Sequence, residues 1–232
     1  MKGLSIAVIG AGGKTTTMRA LARHFRDRRV LFTTTTHILP LEPAECRLFL
    51  PDPTPDRLLE ELSQPGVLCS GCTAKLHKLS SLPVDLLRQA MDRAEVTLYE
   101  ADGAARLPLK LHREGEPVIV GQPDRCVIVA GLSAMGAPIR EVVHRWQLDP
   151  EWAADPDRPV DGAVFIRCIL DALRAAQVPP ACCRVLLNQA DRLTDPEAAD
   201  QICAALREQG LRCRIGSLAR DPAFLPGWVL GD

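Results

Sequence analysis

Glycines, a lysine and threonines near the N-terminus form a pattern typical of phosphate binding. The segment Ile6–Thr17 reads IAVIGAGGKTTT: apolar β-formers, a glycine-rich turn, then a helix start. Glycines let backbone N–H groups approach phosphate oxygens, and a helix N-terminus adds partial positive charge. Lys14 can reach the terminal phosphates and the Thr15 hydroxyl can hold Mg²⁺. We therefore expect a nucleotide site formed by Gly10, Ala11, Gly12, Gly13, Lys14, Thr15 and Thr16.

This loop departs from the Walker A pattern at one position. The pattern G-x-x-x-x-G-K-[ST] requires glycine where the chain has Val8, so the loop begins later, at Gly10. A glycine-rich turn that binds nothing is the alternative. We favour phosphate binding because Gly-Lys-Thr at a strand-to-helix junction is a more specific signal than glycines alone. A dinucleotide loop is excluded, because Gly10 and Gly12 are followed by Lys14 without a third glycine.

An apolar segment ending in acidic residues forms a second candidate. It runs from Val96 to Glu100 and continues into Asp102 and Gly103. A carboxylate at a strand end beside a phosphate loop can order Mg²⁺ or its water, as in the Walker B arrangement. We expect Asp102 to be the metal-side partner of Thr15. Glu100 is expected to orient water or to lie on the opposite face of the strand.

Four threonines follow an apolar segment that begins at Val30, and they precede His37. Strand ends next to a phosphate loop face the phosphates, so a hydroxyl here can complete the Mg²⁺ shell or sense the γ-phosphate. Thr35 is the candidate. Threonine's β-branching alone is the alternative explanation for this run. His37 is either a proton acceptor for a substrate or a cap of the loop.

The last third of the chain carries a nucleobase signal. Asn188 and Asp191 follow a predicted strand in the pattern Asn-x-x-Asp, and Ser217 follows the next predicted strand. One carboxylate can accept hydrogen bonds from both N1–H and N2–H₂ of guanine, whereas adenine offers no matching donor pair. We therefore expect GTP in preference to ATP. Gln189 stands where Asn-Lys-x-Asp motifs carry lysine, which removes a cation and weakens stacking on the base.

Composition narrows the function classes. The 232 residues carry 28 basic and 29 acidic side chains, and aromatic residues make up 4%. No electrostatic footprint for nucleic acid or an anionic membrane is present. Nine cysteines without a secretory signal indicate reduced thiols and a cytoplasmic location. Cys69 and Cys72 form a C-x-x-C pair without a second pair at zinc spacing, so we read them as structural or incidental.

The order of the elements predicts an α/β fold of the three-layer P-loop NTPase type, with a mostly parallel sheet and helices on both faces. We expect one domain over residues 1–232. Hydrophobic spacing predicts helices at 14–29, 55–62, 82–94, 138–145, 165–176 and 196–209. It predicts strands at 6–9, 30–38, 46–50, 67–69, 96–100, 118–120, 126–131, 184–187 and 211–215, and a loop at 149–159.

Several motifs together resemble a known family. They are GAGGKTTT, TTTTHI, EADGA, LPLK, EPVI, the His144-Arg145 pair and LLNQAD. The chain is similar over nearly its full length to YqeC-type accessory proteins of selenium-dependent molybdenum hydroxylases. The resemblance implies a nucleotide-dependent step in maturation of a molybdoenzyme or its cofactor. Family motif positions are occupied by Lys14, Thr15, Thr16, Asp102, Lys110 and Glu116, the last two as candidate substrate residues.

Three functions remain open at this stage. The first is a Mg²⁺-dependent GTPase or NTPase whose phosphoryl-transfer chemistry uses Lys14, Asp102, Glu100 and Thr35. The second is a small-molecule kinase or a Mur-like ATP-dependent ligase, because GAGGKTTT also resembles the GT-x-GKTT loop of Mur ligases. In that case Lys110, His112 and Arg113 can bind an anionic acceptor. The third is a nucleotide-dependent chaperone or regulator that does not hydrolyse its nucleotide.

Overall fold

A ten-stranded, mostly parallel sheet organises residues 3–231, the part of the chain that the computed structural model describes. Two further strands, β8 and β10, pair with each other outside this sheet. The strands are β1 Leu4–Gly10, β2 Arg29–Thr34, β3 His37–Ile38, β4 Leu48–Pro51, β5 Gly66–Ala74, β6 Lys78–Ser80, β7 Val96–Glu100, β8 Leu109–Lys110, β9 Arg125–Gly131, β10 Val143–His144, β11 Cys183–Asn188 and β12 Arg212–Ile215.

The sheet has the strand order β12-β11-β9-β1-β7-β2-β5-β6-β3, with β4 pairing along β5. Only the pairs that involve β6 are antiparallel among the described strands of this sheet. The helices are α1 Lys14–His24, α2 Pro55–Glu61, α3 Val84–Arg93, α4 Ile139–Val142, α5 Pro150–Ala154, α6 Gly162–Ala176, α7 Pro196–Glu208 and α8 Phe224–Leu230.

Helices cover both faces of the sheet, which is why its central strands are continuous apolar segments. On β1, Ile6 and Val8 pack into the core that contains residues of α1 and α8. Ala7 and Ile9 point to the other face and pack into the core that contains residues of α6 and α7. The predicted three-layer α/β architecture with a mostly parallel sheet is confirmed.

The central strands position the candidate site. Strands β1, β7, β9 and β11 run parallel, so their carboxyl ends reach the same edge of the sheet. The phosphate-loop segment, Asp102 and Asn188 all lie at or just beyond these ends. In open α/β sheets this edge is where ligands bind.

Some predicted elements were wrong. Helix α1 ends at His24 and not at residue 29. Residues 118–120 are not a strand: Val118 donates its backbone N–H to the Ala101 carbonyl at 2.8 Å, directly after Pro117. The predicted helix at 138–145 is a single turn, α4, followed by β10, which pairs with β8. At residues 118–120 and 138–145 a partner distant in the sequence determines the conformation. The local residue pattern gives no information about that partner.

Two further helices were not predicted. The Asp149 side chain caps α5 by accepting the backbone N–H groups of Glu151 and Trp152, inside the segment predicted as a loop. Helix α8 follows the last strand and buries Leu225 and Val229 against β1 and β9. Both are short helices containing proline, a composition that is also typical of loops.

The cysteines are all free, and no cluster of three or more His, Cys, Asp or Glu side chains within the described residues has metal-binding geometry. Cys69 and Cys72 both lie in β5, three residues apart. Side chains at an odd spacing in a strand point to opposite faces, so this pair cannot converge on one ion. Burial raises the pKa of the Cys69 thiol to about 12. Over residues 3–231, none of the helices has the length and apolar character needed to cross a bilayer.

Candidate functional site

The predicted phosphate loop connects β1 to α1 in a conformation that requires glycine. Gly10, Gly12 and Gly13 have φ values of 90°, 79° and 136°, which L-residues rarely adopt. A Cβ on Gly12 would overlap the Gly131 backbone of β9, and one on Gly13 would overlap the Asn188 side-chain amide. Helix α1 begins at Lys14, directly after the loop. The first backbone N–H groups of α1 have no acceptor within the helix, so they are available to a ligand bound at the loop.

Lys14 is buried inside the loop and not extended into solvent. Its Nζ donates to the Gly10 carbonyl at 2.7 Å and lies 3.1 Å from Asp102 Oδ1 and 3.6 Å from Glu100 Oε1. Two carboxylates and a carbonyl therefore hold the ammonium group at the loop. An incoming phosphate would have to compete with these partners.

Asp102 is fully buried and serves as the central counter-ion of the site. Its Oδ2 accepts the Gly10 backbone N–H at 2.9 Å, lies 3.1 Å from Lys110 Nζ, and is 2.7 Å from His112 Nε2. Burial opposes its ionisation, but Lys14, His112 and Lys110 outweigh it, so the pKa of Asp102 lies well below its usual range. These contacts direct Asp102 to the loop and its lysines.

Glu100 is the carboxylate beside Thr15. The Thr15 hydroxyl donates to Glu100 Oε2 at 3.2 Å, whereas no hydrogen bond joins Thr15 to Asp102 among the described residues. Glu100 and Asp102 both reach Lys14, so placing Glu100 on the opposite face was wrong: residues two apart on an extended chain share a face. Burial raises the pKa of Glu100, with Lys14 opposing that shift and Asp102 adding to it.

The donor set at Thr15 and Glu100 fits Mg²⁺. It consists of a hydroxyl and a carboxylate oxygen at the loop-to-helix junction, and Mg²⁺ prefers oxygen ligands in small number, together with phosphates and waters. Asp102 would need to leave its cationic partners before it could coordinate a metal. Thr15 and Glu100 are therefore the residues that would hold the ion.

The threonine segment lies beside the loop, with its hydroxyls already engaged. Thr34 donates its hydroxyl to the Glu100 carbonyl at 2.9 Å, and Thr35 donates to the Val118 carbonyl at 2.7 Å. Thr35 lines the cleft above the loop, and its hydroxyl is already bound to the Val118 carbonyl. His37 is exposed at the rim of the same cleft, and its backbone pairs with Ser80.

Lys110 and Glu116, predicted as substrate residues, belong to one ion-pair chain. Lys110 is 2% exposed and bridges Asp102 and Glu116, at 3.1 and 3.4 Å. Arg145 holds Glu116 with two hydrogen bonds of 2.5 and 2.9 Å. Burial opposes ionisation of Glu116, but Arg145 and Lys110 outweigh it and lower its pKa to about 2. Glu116 lines the cleft, whereas the buried Lys110 side chain does not.

His112 is buried between two carboxylates, which the sequence did not reveal. Its Nε2 lies 2.7 Å from Asp102 and its Nδ1 lies 2.9 Å from Asp171 on α6. The ring therefore bridges the two carboxylates. This contact connects the phosphate loop to α6. His112 and the buried Lys110 are consequently not placed to bind an acceptor from the cleft.

The predicted base-recognition residues also assemble beside the loop. Asn188 donates its amide to the Gly12 carbonyl at 2.9 Å and accepts the Leu218 backbone N–H at 3.0 Å. Ser217 donates to Asp191 at 2.5 Å, and this hydrogen bond lowers the pKa of Asp191. Gln189 accepts the Ser133 hydroxyl at 2.7 Å. The loop and the two base-side segments therefore form one hydrogen-bonded unit.

A cleft of about 1600 Å³ opens above these elements. Its floor is formed by the phosphate loop, and its walls by the threonine segment, the tip of the β5–β6 hairpin and the residues that follow β7. It joins the predicted phosphate loop, Thr35, His37, Glu100 and Glu116 in one space.

HypB from Helicobacter pylori, solved in complex with nickel, is 10% identical, with a TM-score of 0.44 over 98% of this chain and 84% of that chain. The protein named "Uncharacterized protein YqeC" from Escherichia coli (strain K12) is 29% identical over 237 residues, covering 97% of this chain and 91% of that protein. The family model described as YqeC protein matches residues 6–147. The chain therefore belongs to the YqeC family.

Proposed function

We propose that this protein binds a Mg²⁺–nucleoside triphosphate in the cleft, with GTP preferred, and hydrolyses it. One observation supports this most strongly: the glycine loop, Lys14 and the Thr15–Glu100 pair meet where helix α1 begins. Backbone N–H groups of such a loop can bind phosphate oxygens without a side-chain rearrangement. Lys14 would exchange its carboxylate partners for the terminal phosphates.

Magnesium would be held by the Thr15 hydroxyl and the Glu100 carboxylate. When bound, it would supply positive charge to the phosphate oxygens. Glu100 would have to be ionised for this role, and Lys14 at 3.6 Å favours that state. Asp102 would position Lys14 and the Gly10 N–H. Thr35 would contribute its hydroxyl to the site only if it released the Val118 carbonyl.

The preference for guanine rests on Asn188 and Asp191. Asn188 fixes the base-side segments against the loop, and Asp191 is exposed next to Ser217, where its carboxylate can accept two hydrogen bonds from a base. The resemblance to YqeC-type accessory proteins supports a place for this reaction in the cytoplasm, during maturation of a molybdoenzyme or its cofactor. The enzyme being matured would then be the protein partner.

The test is binding of GTP, ATP and CTP with Mg²⁺, measured by isothermal titration calorimetry. We expect GTP to bind best, Thr15→Ala to weaken the Mg²⁺ dependence, and Asp191→Asn to reduce the preference for GTP over ATP by tenfold or more. Arg26→Ala, at an exposed position of α1's C-terminal loop, is the matched control. Tighter binding of ATP than of GTP by the wild type would overturn the base assignment.

A small-molecule kinase or ligase is a second candidate, because the cleft extends well beyond the loop. Turnover of nucleotide that rises only when an acceptor is added, with a phosphorylated or amide product, would favour it. Slow turnover without an acceptor would favour the hydrolase.

A further inference from the structure

The cleft lining outside the phosphate loop carries both cationic and apolar side chains. We call this part of the lining the outer pocket. It consists of Leu39, Lys75, Leu76, Lys78, Arg106 and Val118.

The cleft is large enough for more than a nucleotide. Its volume of about 1600 Å³ exceeds the roughly 300–1,000 Å³ typical of a site for one small ligand. Besides the phosphate loop and Gln189, the hairpin tip and the 103–107 segment line it. A nucleotide at the loop therefore need not fill the whole cleft.

The outer pocket carries cations that no acidic side chain neutralises. Lys75, Lys78 and Arg106 make no ion pair with any residue in the described part of the chain. Arg113 and Arg145 line the same cleft but are both paired with Glu116. The three unpaired cations are therefore the ones available to a ligand. Their combined charge favours a dianion, and Lys and Arg are the usual donors to phosphate.

Apolar side chains lie among these cations. Leu39, Leu76 and Val118 are 43%, 80% and 41% exposed. They are three of the six large apolar side chains exposed on the described surface, and all three line this cleft. Exposed apolar surface in a concave site is typical of ligand binding. A bare phosphate ion would leave this surface unused.

The cationic residues lie on two segments with unusual backbone conformations. Leu76 and His77 have φ values of 60° and 55°, and Ala105 and Arg106 have values of 49° and 64°. Non-glycine residues rarely adopt this region, and such residues concentrate at ligand sites. Both segments line the cleft, one from the β5–β6 hairpin and one from the turn after β7.

We propose that the outer pocket binds a second small molecule, an organic phosphate with an apolar or planar body, beside the nucleotide. Lys75, Lys78 and Arg106 bind its phosphate, and Leu39, Leu76 and Val118 contact its body. The placement beside a nucleotide rests on the proposed function. The charge and shape of the pocket do not depend on it.

The experiment uses 1-naphthyl phosphate as the probe, in calorimetric titrations of the full chain with and without saturating Mg²⁺–GTP. We expect saturable binding in both conditions. Inorganic phosphate and 1-naphthol should each bind at least tenfold more weakly than the probe. Inorganic phosphate lacks the apolar body, and 1-naphthol lacks the phosphate group. Arg106→Ala and Lys78→Ala should each weaken the probe about tenfold, the usual effect of losing a charge-assisted hydrogen bond. Arg26→Ala should leave it unchanged.

Displacement of the probe by Mg²⁺–GTP would overturn the proposal, since the probe would then occupy the phosphate loop. Unchanged probe binding in both Arg106→Ala and Lys78→Ala would also overturn it. If Mg²⁺–GTP fails to bind the wild type, the proposed function fails. The titration without nucleotide still shows whether the outer pocket binds the probe. Circular dichroism of each variant shows that lost binding is not lost folding.

Discussion

Removal of charge from the two carboxylates at the end of β7 should affect stability to very different extents. Asp102 is fully buried and lies within 3.1 Å of Lys14, Lys110 and His112. Asp102→Asn keeps the shape but removes the carboxylate charge that faces both lysines. Glu100→Gln, two residues away, removes a carboxylate whose pKa is already raised by burial.

The size of the Asp102 effect follows from the buried ion pairs. Removing one partner of a buried pair costs about 3–5 kcal/mol, because the remaining charge is left uncompensated. For a chain of this length, 1 kcal/mol corresponds to roughly 2–4 °C in Tm, so Asp102→Asn should lower Tm by roughly 6–20 °C. Glu100→Gln should change the free energy of unfolding by less than about 1 kcal/mol, since the neutral form avoids the desolvation cost.

Urea denaturation without nucleotide or Mg²⁺, followed by circular dichroism, measures both variants. Asp102→Asn combined with Lys110→Met should recover part of the loss, because a buried cation that has lost one of its two carboxylate partners is removed with the anion. Glu100→Gln should instead lose the Mg²⁺ dependence of nucleotide binding. The reasoning fails if Asp102→Asn is as stable as the wild type, or if Glu100→Gln is the more destabilised of the two.

Three further predictions concern the loop and the pH dependence. Gly13→Ala should abolish nucleotide binding in calorimetry, because the new Cβ overlaps the Asn188 amide, whereas Gly227→Ala, with no neighbour near its Cβ, should bind normally. The pKa of Glu116 is lowered to about 2 from its usual value of 4.5. The stabilisation of the folded state by ionised Glu116 is therefore complete above pH 4.5 and is lost as pH falls toward 2. Glu116→Gln should flatten acid unfolding curves in that window. Since the pKa of Glu100 is raised above 4.5, acidification through that pKa should weaken Mg²⁺ binding, and a pH-independent Mg²⁺ affinity would contradict the metal assignment.

The sequence predicted those features that depend on neighbouring residues. The glycine loop and Lys14 at the helix start are local patterns, and the structure contains both of them. The parallel sheet followed from alternating strand and helix segments.

Features that depend on distant partners were not predictable in the same way. The roles of Glu100 and Asp102 differ because His112 and Lys110 contact Asp102 and not Glu100. Those contacts depend on how the chain folds back after β7. The sequence therefore shows both carboxylates but does not show which of them pairs with His112 and Lys110. His112 could have been suspected only from its position in a buried apolar segment, where a histidine needs hydrogen-bond partners.

The central claim is that the loop at Gly10–Thr16 binds the phosphates of a Mg²⁺–nucleotide. The most direct measurement is calorimetric titration of Mg²⁺–GTP into the wild type and Lys14→Ala, with folding of both checked by circular dichroism. Lys14 is the side chain that the loop holds among Gly10, Glu100 and Asp102, so its removal should abolish measurable binding by a folded protein. Equal affinity of the two proteins for Mg²⁺–GTP would contradict the account.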